Sequence, residues 1–186
     1  MAKKEATVDE IMKLKKSRIG HASHVPVLTC LNSLFKIETI VEIGSGPIST
    51  RLFLDRNCFR YVKSVISYEH REGWYKKVSS LIGEDKRLDY RLITSDVNMI
   101  DTNHTGDLLF LDGLKGHRKF GIEQLGNNFT FVIQHDYKIN HPYKHIWVYH
   151  PPQGPITSVA SNTVDVNELK WNCVWNKSLI SGLCKL

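Results

Sequence analysis

From residue 37 to residue 136 the chain repeats one theme: a short apolar run, a turn, then an amphipathic or polar stretch. Thr39-Ile-Val-Glu-Ile43 leads into Gly44-Ser-Gly-Pro and a helix reaching about Asn57. Val62 to Tyr68 leads into a helix from about Arg71 to Leu81, and Leu88 to Thr94 precedes a polar stretch. Asp107 to Leu111 leads into a helix over about 117 to 126, and Phe129 to Gln134 ends at His135-Asp136. Five such runs predict the strands of a parallel sheet, because parallel neighbours need a crossover long enough to hold a helix. Leu108-Leu-Phe-Leu111 is apolar at every position, where a half-exposed strand would alternate; it predicts a central strand covered on both faces.

The ends of the chain read differently. Val8, Ile11, Met12 and Leu14 recur among lysines over residues 8 to 18, and Val25, Val27, Leu28, Leu31 and Leu34 over about 24 to 36, so residues 1–36 form a helical preface. After Asp136, Lys144 to Tyr149 and Lys170 to Trp175 are strand-like, with the Pro151–Pro155 loop and no clear helix between them. The expected architecture is a single α/β, Rossmann-like domain: a mostly parallel seven-stranded sheet with an antiparallel C-terminal edge and helices on both faces. The preface belongs to the same domain as residues 37–186, since 186 residues are few for two cores. Trp147, Trp171 and Trp175 fit a sheet core or a dimer contact equally, which leaves oligomeric state open.

Composition narrows the classes. With 41% hydrophobic and 24% charged residues the chain is globular, and no apolar run approaches the length of a membrane span. Cys30, Cys58, Cys173 and Cys184 form no CxxC pair and no zinc-finger spacing, and residues 1 to 20 lack the apolar core of a signal peptide. Reduced thiols and a cytoplasmic location are expected. Asn103, Asn128 and Asn176 open glycosylation sequons that would matter only in a secreted chain. The formal charge is +6, and the first 18 residues hold six bases against three acids. Such an arm suits nucleic acid, an acidic partner or an ordinary solvated helix.

In doubly wound sheets, ligands sit at the carboxyl ends of the strands near the point where strand order reverses. Strand one ends in Glu42-Ile-Gly44-Ser45-Gly46-Pro-Ile-Ser49, where glycines allow a tight turn and the following helix offers free N–H groups to an anion. Strand two ends at Glu69-His70, 23 residues after Gly46; an acid there can accept from ribose hydroxyls or sit as a helix N-terminal charge. Strand three ends at Ser95-Asp96, where Asp96 can accept an adenine amino hydrogen or cap a helix.

Glu42 with Gly44-Ser45-Gly46, Glu69 and Asp96, in this order and spacing, resemble the class I S-adenosylmethionine-dependent methyltransferases over roughly residues 37 to 150. The resemblance implies that Glu42, Gly44, Ser45, Gly46 and Ser49 hold the methionine portion of S-adenosylmethionine. It implies that Glu69 and His70 meet the ribose and that Ser95 and Asp96 flank the adenine. Strand four, Phe110-Leu-Asp112-Gly-Leu-Lys115-Gly-His117, is similar to that of catechol O-methyltransferase-like enzymes. In that group the aspartate binds a divalent metal and the lysine acts as base. Asp112 would then face metal or cofactor, and Lys115 would be the base, with His117 and His135 as less favoured alternatives and a solvated loop lysine as the bland reading.

Asp112 and Asp136 would give two hard oxygen ligands of the kind Mg²⁺ accepts. His135 departs from the acid and amide pattern, and imidazole suits zinc, manganese or iron better, so it is read as a base or an outer hydrogen-bonding group. His21, His24, His70, His104 and His145 have no partner at metal-motif spacing and are expected to be surface or cap residues.

The expected activity is O-methylation of a small acceptor, one that carries negative charge if the bases around the strand-four loop define its site. Two alternatives stay open. An RNA-directed (ribose) methyltransferase would use the N-terminal arm with Lys115, Arg118, Lys119, Lys138 and Lys144 to track phosphates. A non-catalytic cofactor-binding subunit would explain His135 where relatives have an acid.

Overall fold

The computed structural model describes residues 22–94, 96–151 and 154–171. The elements run α1 (Val25–Leu34), β1 (Thr39–Ile43), α2 (Ser49–Leu54), β2 (Ser64–Glu69), α3 (Glu72–Ile82), β3 (Leu88–Leu92), β4 (Gly106–Leu111), α4 (Lys115–Phe120), β5 (Phe129–His135), β6 (His145–Tyr149) and β7 (Thr157–Ser161). The strands form one seven-stranded sheet in the order β3-β2-β1-β4-β5-β7-β6. β1 to β5 are mutually parallel, and β7 runs antiparallel to β5 on one side and β6 on the other. Strand order reverses between β1 and β4, so their tips are the natural place for a site.

The two-faced burial read from Leu108–Leu111 is present. Leu108 and Phe110 join the cluster under α1 and α2 with Leu28, Leu31, Leu52 and Phe53, while Leu109 and Leu111 join Ile122 and Leu125 on the other face. All four strand residues have no exposed surface. Each such side chain stabilises by about 2 kcal/mol through removal from water. α1 begins at Val25-Pro26, where a proline suits the first turn, and buries Val25, Val27, Leu28, Cys30 and Leu31. α3 is peripheral: it buries Val78 alone, pairs Lys76 with Glu72 one turn away, and stops at Gly83 in a left-handed conformation.

Three expectations need correction. The second late strand is β7 at Thr157–Ser161, buried at all five positions; Lys170 and Trp171 belong to no strand, and 172–175 lie outside the described residues. The helix expected over 117 to 126 begins at Lys115, turns π-helical over Gly121–Leu125 and closes in a 3-10 turn, Gly126–Asn128. A Cβ at Gly121 would meet Leu111 Cδ2 at 2.7 Å, so this segment lies close against the sheet. Cys30 is disulfide-bonded, so the cytoplasmic reading loses the support that reduced cysteines gave it.

Trp171 is buried and stacks on Trp147 at 4.1 Å, so this pair belongs to the core; Trp175 and the basic helix over 8 to 18 lie outside the described residues. No helix among the described residues is long and apolar enough to cross a membrane.

Candidate functional site

The tips of β1 and β2 are joined through Ser45. Gly44 and Ser45 both donate their backbone N–H to the Tyr68 carbonyl, at 2.9 and 3.1 Å, which folds the loop over the end of β2. Ser45 Oγ donates to Glu69 Oε2 at 3.1 Å and lies 2.6 Å from the Tyr90 hydroxyl. A serine has one proton, and the carboxylate can only accept, so Tyr90 is the donor in a chain Tyr90 to Ser45 to Glu69. Burial pushes the Tyr90 phenol up, in keeping with a hydroxyl that stays protonated. Glu69 is 2% exposed, and its Oε1 accepts the N–H groups of His70 and Arg71 at 2.9 and 2.8 Å. Trp74 covers the loop from outside, its indole N–H on the Ser45 carbonyl at 2.9 Å. His70 and His117 meet edge to face, 5.4 Å between ring centres.

Glu42 plays a different part from the one expected. Its carboxylate is wholly buried and accepts Ser49 Oγ at 2.5 Å on Oε1, and Thr50 Oγ1 at 2.6 Å and Ser67 Oγ at 2.5 Å on Oε2. Neither Glu42 nor Ser49, 1% exposed, presents its side chain at a surface; together they fasten the start of α2 to β1 and β2. Loss of water raises the Glu42 carboxyl to about 7, desolvation outweighing the three hydroxyl donors.

At β3, Asp96 caps the short turn Val97–Met99 by accepting the backbone and side-chain N–H groups of Asn98, which is the capping alternative read from the sequence. Ser95 lies outside the described residues.

At the tips of β4 and β5 the chain gathers Asp112, His135 and Asp136. His135 Nδ1 lies 3.1 Å from Asp112 Oδ1 and 3.5 Å from Asp136 Oδ1. Its Nε2 lies 2.9 Å from Ser23 Oγ, which donates to the Pro155 carbonyl at 2.8 Å. Asp136 holds a left-handed φ of 73° and pairs with Arg118, whose guanidinium also donates to the His135 carbonyl at 3.0 Å and covers the Tyr137 ring. His24 stands at the N-cap position of α1 but is not a surface residue: it is 2% exposed, its side chain makes no capping bond, and its ring packs against His135 and Phe110 with ring centres 4.5 and 5.2 Å apart. His24, Asp112 and His135 each offer a ligand atom within 4.8 Å of the others. Among the described residues the cluster of three or more metal-type side chains is therefore two imidazoles and one carboxylate, and it shares Asp112, though not Asp136, with the expected Mg²⁺ pair. Sequence reasoning missed Ser23 and His24 because they approach from 88 or more positions before Asp112 and share no local motif with it.

Lys115 is exposed at the first position of α4 and borders a cavity of about 380 Å³ between α4 and the segment after β5. Arg118, Lys119, Lys138, Gln134 and Tyr137 also line it, and the Gln134 amide oxygen is buried with no hydrogen-bond partner. Lys115, Arg118 and Lys119 on α4 and Lys138 on the facing segment outnumber the one lining carboxylate, Glu123, which pairs with Lys119, so the cavity favours an anionic occupant, and Gln134 favours one with a donor.

No family model matches the chain, and no curated protein sequence matches it. Solved structures do match. Human methyltransferase-like protein 13 in complex with SAH superposes over 91% of this chain and 93% of its own, with a TM-score of 0.61 and 10% identity. The O-methyltransferase from Bacillus cereus in complex with SAH superposes over 87% of this chain and 92% of its own, with a TM-score of 0.56 and 15% identity. At these identities the likeness lies in the fold, strand order included. The chain has the Rossmann-like fold of the class I methyltransferases.

Proposed function

We propose that this chain is an S-adenosylmethionine-dependent methyltransferase that methylates an oxygen of a small, negatively charged acceptor. The observation that carries the reading is the Ser45–Glu69 bond at the mouth of β1 and β2. A carboxylate has about four acceptor positions. Glu69 Oε1 is taken by two backbone N–H groups and lies 3.1 Å from His70 Nδ1, whereas Oε2 has Ser45 alone, which leaves Oε2 a position for a ribose hydroxyl beside the glycine loop. The residues present therefore fit a nucleoside, with Ser45, Gly46, Glu69 and His70 as the holding set and Glu42 and Ser49 bracing them from behind. When bound, S-adenosylmethionine supplies a methyl group already activated on a sulfonium.

The chain's own residues then have to orient the acceptor and free its oxygen of a proton. Lys115, three residues beyond Asp112 and on the cavity wall, takes the acceptor proton at Nζ. Arg118 holds the tip of β5 in place through the His135 carbonyl and Asp136, and with Lys119 and Lys138 draws an anionic acceptor into the cavity. Both neighbours with SAH bound support the cofactor assignment by shared fold.

Calorimetric titration of the full chain with S-adenosylhomocysteine, and with NAD as control, tests the reading. Binding of the first alone, lost in Glu69→Ala, is expected. No binding of S-adenosylhomocysteine at millimolar concentration overturns it. Transfer of labelled methyl to RNA rather than to carboxylate- or phosphate-bearing small molecules would overturn the acceptor class while leaving the cofactor assignment standing.

A further inference from the structure

The hydrogen bonds around His135 fix which of its nitrogens carries a proton. Ser23 Oγ lies 2.8 Å from the Pro155 carbonyl oxygen, an acceptor only, so the single serine proton points there. His135 Nε2, 2.9 Å from the same Oγ, must then be the donor. In that tautomer the lone pair of Nδ1 points at the Asp112 and Asp136 carboxylates, at 3.1 and 3.5 Å. Arg118 answers the charge of Asp136, so what stands opposed is a buried imidazole lone pair and the Asp112 carboxylate, 24% exposed, and a positive charge between the two stabilises both. A second proton or a metal cation supplies it.

Two features favour the metal. The third corner of the cluster is His24, another buried imidazole, brought in from α1 with its ring 4.5 Å from that of His135. Two imidazoles and one carboxylate are a recurrent transition-metal donor set. The Nε2–H to Ser23 to Pro155 relay is also what a metal-bound histidine uses on its far side: the outer hydrogen bond fixes the ring and leaves the other nitrogen bare for the ion. Asp136 is not needed as a ligand, since Arg118 already pairs with it.

We infer that His24, Asp112 and His135 bind a divalent first-row transition ion such as Zn²⁺, through His135 Nδ1 and Asp112 Oδ1, and that they do not form a Mg²⁺ site. Nitrogen donors outnumber oxygen in the set, and Mg²⁺ takes oxygen ligands in near-octahedral geometry. The inference does not depend on the methyltransferase reading.

The test uses the full-length, untagged chain stripped with a chelator and no nucleoside present. Co²⁺ serves as the spectroscopic probe, with Zn²⁺ and Mg²⁺ as competitors. One equivalent of Co²⁺ is expected to give visible ligand-field bands, which Zn²⁺ abolishes and millimolar Mg²⁺ leaves unchanged. His24→Gln and Asp112→Asn, each checked for native circular dichroism, are expected to lose the bands. Ser23→Ala, which removes only the outer relay, is expected to weaken Co²⁺ binding by about 10- to 100-fold. The inference is overturned if the folded wild-type chain gives no bands, if Mg²⁺ displaces Co²⁺, or if the two ligand variants bind Co²⁺ as the wild type does. Failure to bind S-adenosylhomocysteine with the bands intact would sink the proposed activity alone.

Discussion

Gly44 and Gly113 press backbone against backbone where the sheet changes direction: a Cβ built on Gly44 would meet the Gly113 nitrogen at 2.2 Å. Gly44 also holds a φ of 94°, which an L side chain rarely adopts. The contact locks the loop after β1 to the loop after β4, as does the Asp112 N–H on the Ile43 carbonyl at 2.9 Å. Both Ser45, with its bond to Glu69, and Asp112 hang from this one crossing. Gly44→Ala is expected to destabilise the chain by about 3 kcal/mol or more, through left-handed strain together with a backbone clash. Urea denaturation measures it. Gly113→Ala, whose Cβ would stand 3.2 Å from the Ile43 carbonyl oxygen, is expected to cost less.

Glu42 gives the fold a pH dependence of known sign. Its folded pKa, about 7, is raised above that of an unfolded glutamate, so its contribution is complete below about pH 4.5 and lost as pH rises toward 7. Relative to Glu42→Gln, which cannot ionise, the wild type should lose roughly 3 kcal/mol across that window and stay level above it. Denaturation curves of both proteins at pH 5, 6, 7 and 8 check the trend. A difference between them that is flat with pH would mean that the carboxyl ionises freely inside the fold.

Tyr90 donates its only proton to Ser45, and Ser45 in turn donates to Glu69. Tyr90→Phe keeps the ring stack on Tyr75, 4.3 Å between centres, and removes only the donor. A loss of about 1 kcal/mol in stability is expected. Weaker binding of S-adenosylhomocysteine should accompany it, since the Ser45 hydroxyl is then free to rotate away from Glu69. Unchanged affinity in a calorimetric titration would show that Glu69 holds its place without the chain of donors.

Lys115 and Arg118 line the same cavity but differ in what supports them. Lys115 is exposed, so Lys115→Ala should leave stability within about 0.5 kcal/mol. If it is the base, turnover should fall by about 100-fold or more with cofactor affinity unchanged. Arg118 is buried and bonded to the His135 carbonyl and Asp136, so Arg118→Ala should lower both stability and turnover. An active Lys115→Ala enzyme would remove Lys115 from the mechanism.

The central sheet was readable because its strands are continuous apolar runs: β1 falls at Thr39–Ile43, the span read from the sequence, and β4 begins one residue before the predicted Asp107. β7 was not readable. Its Thr-Ser-Val-Ala-Ser has two apolar side chains in five, yet every residue is buried. Two of its three hydroxyls are satisfied inside the fold, Ser158 donating to the Tyr137 carbonyl and Ser161 to the Thr130 carbonyl, so small polar residues sit inside without a hydrophobic signature. The site divides the same way. Ser45 and Glu69 lie at strand ends and could be placed by spacing, whereas the functional surroundings of His135 come from Ser23, His24 and Arg118, which only the folded chain brings together. Glu42 shows the converse: an acid in a suggestive motif whose work is internal.

The position of β7 also sets an order of assembly. It lies between β5 and β6 and pairs His135 with Thr157, so the last strand among the described residues occupies an interior place in the sheet. A nascent chain that has emerged only as far as β6 leaves the edge of β5 open, and an unpaired apolar edge invites pairing with other chains. The Ser45–Glu69 pairing draws on residues up to Gly113, whereas the tip of β5, with His135 braced by Ser23 and Pro155, closes only when the hairpin returns. The surroundings of His135 therefore depend on a strand that follows it by more than 20 residues in the chain.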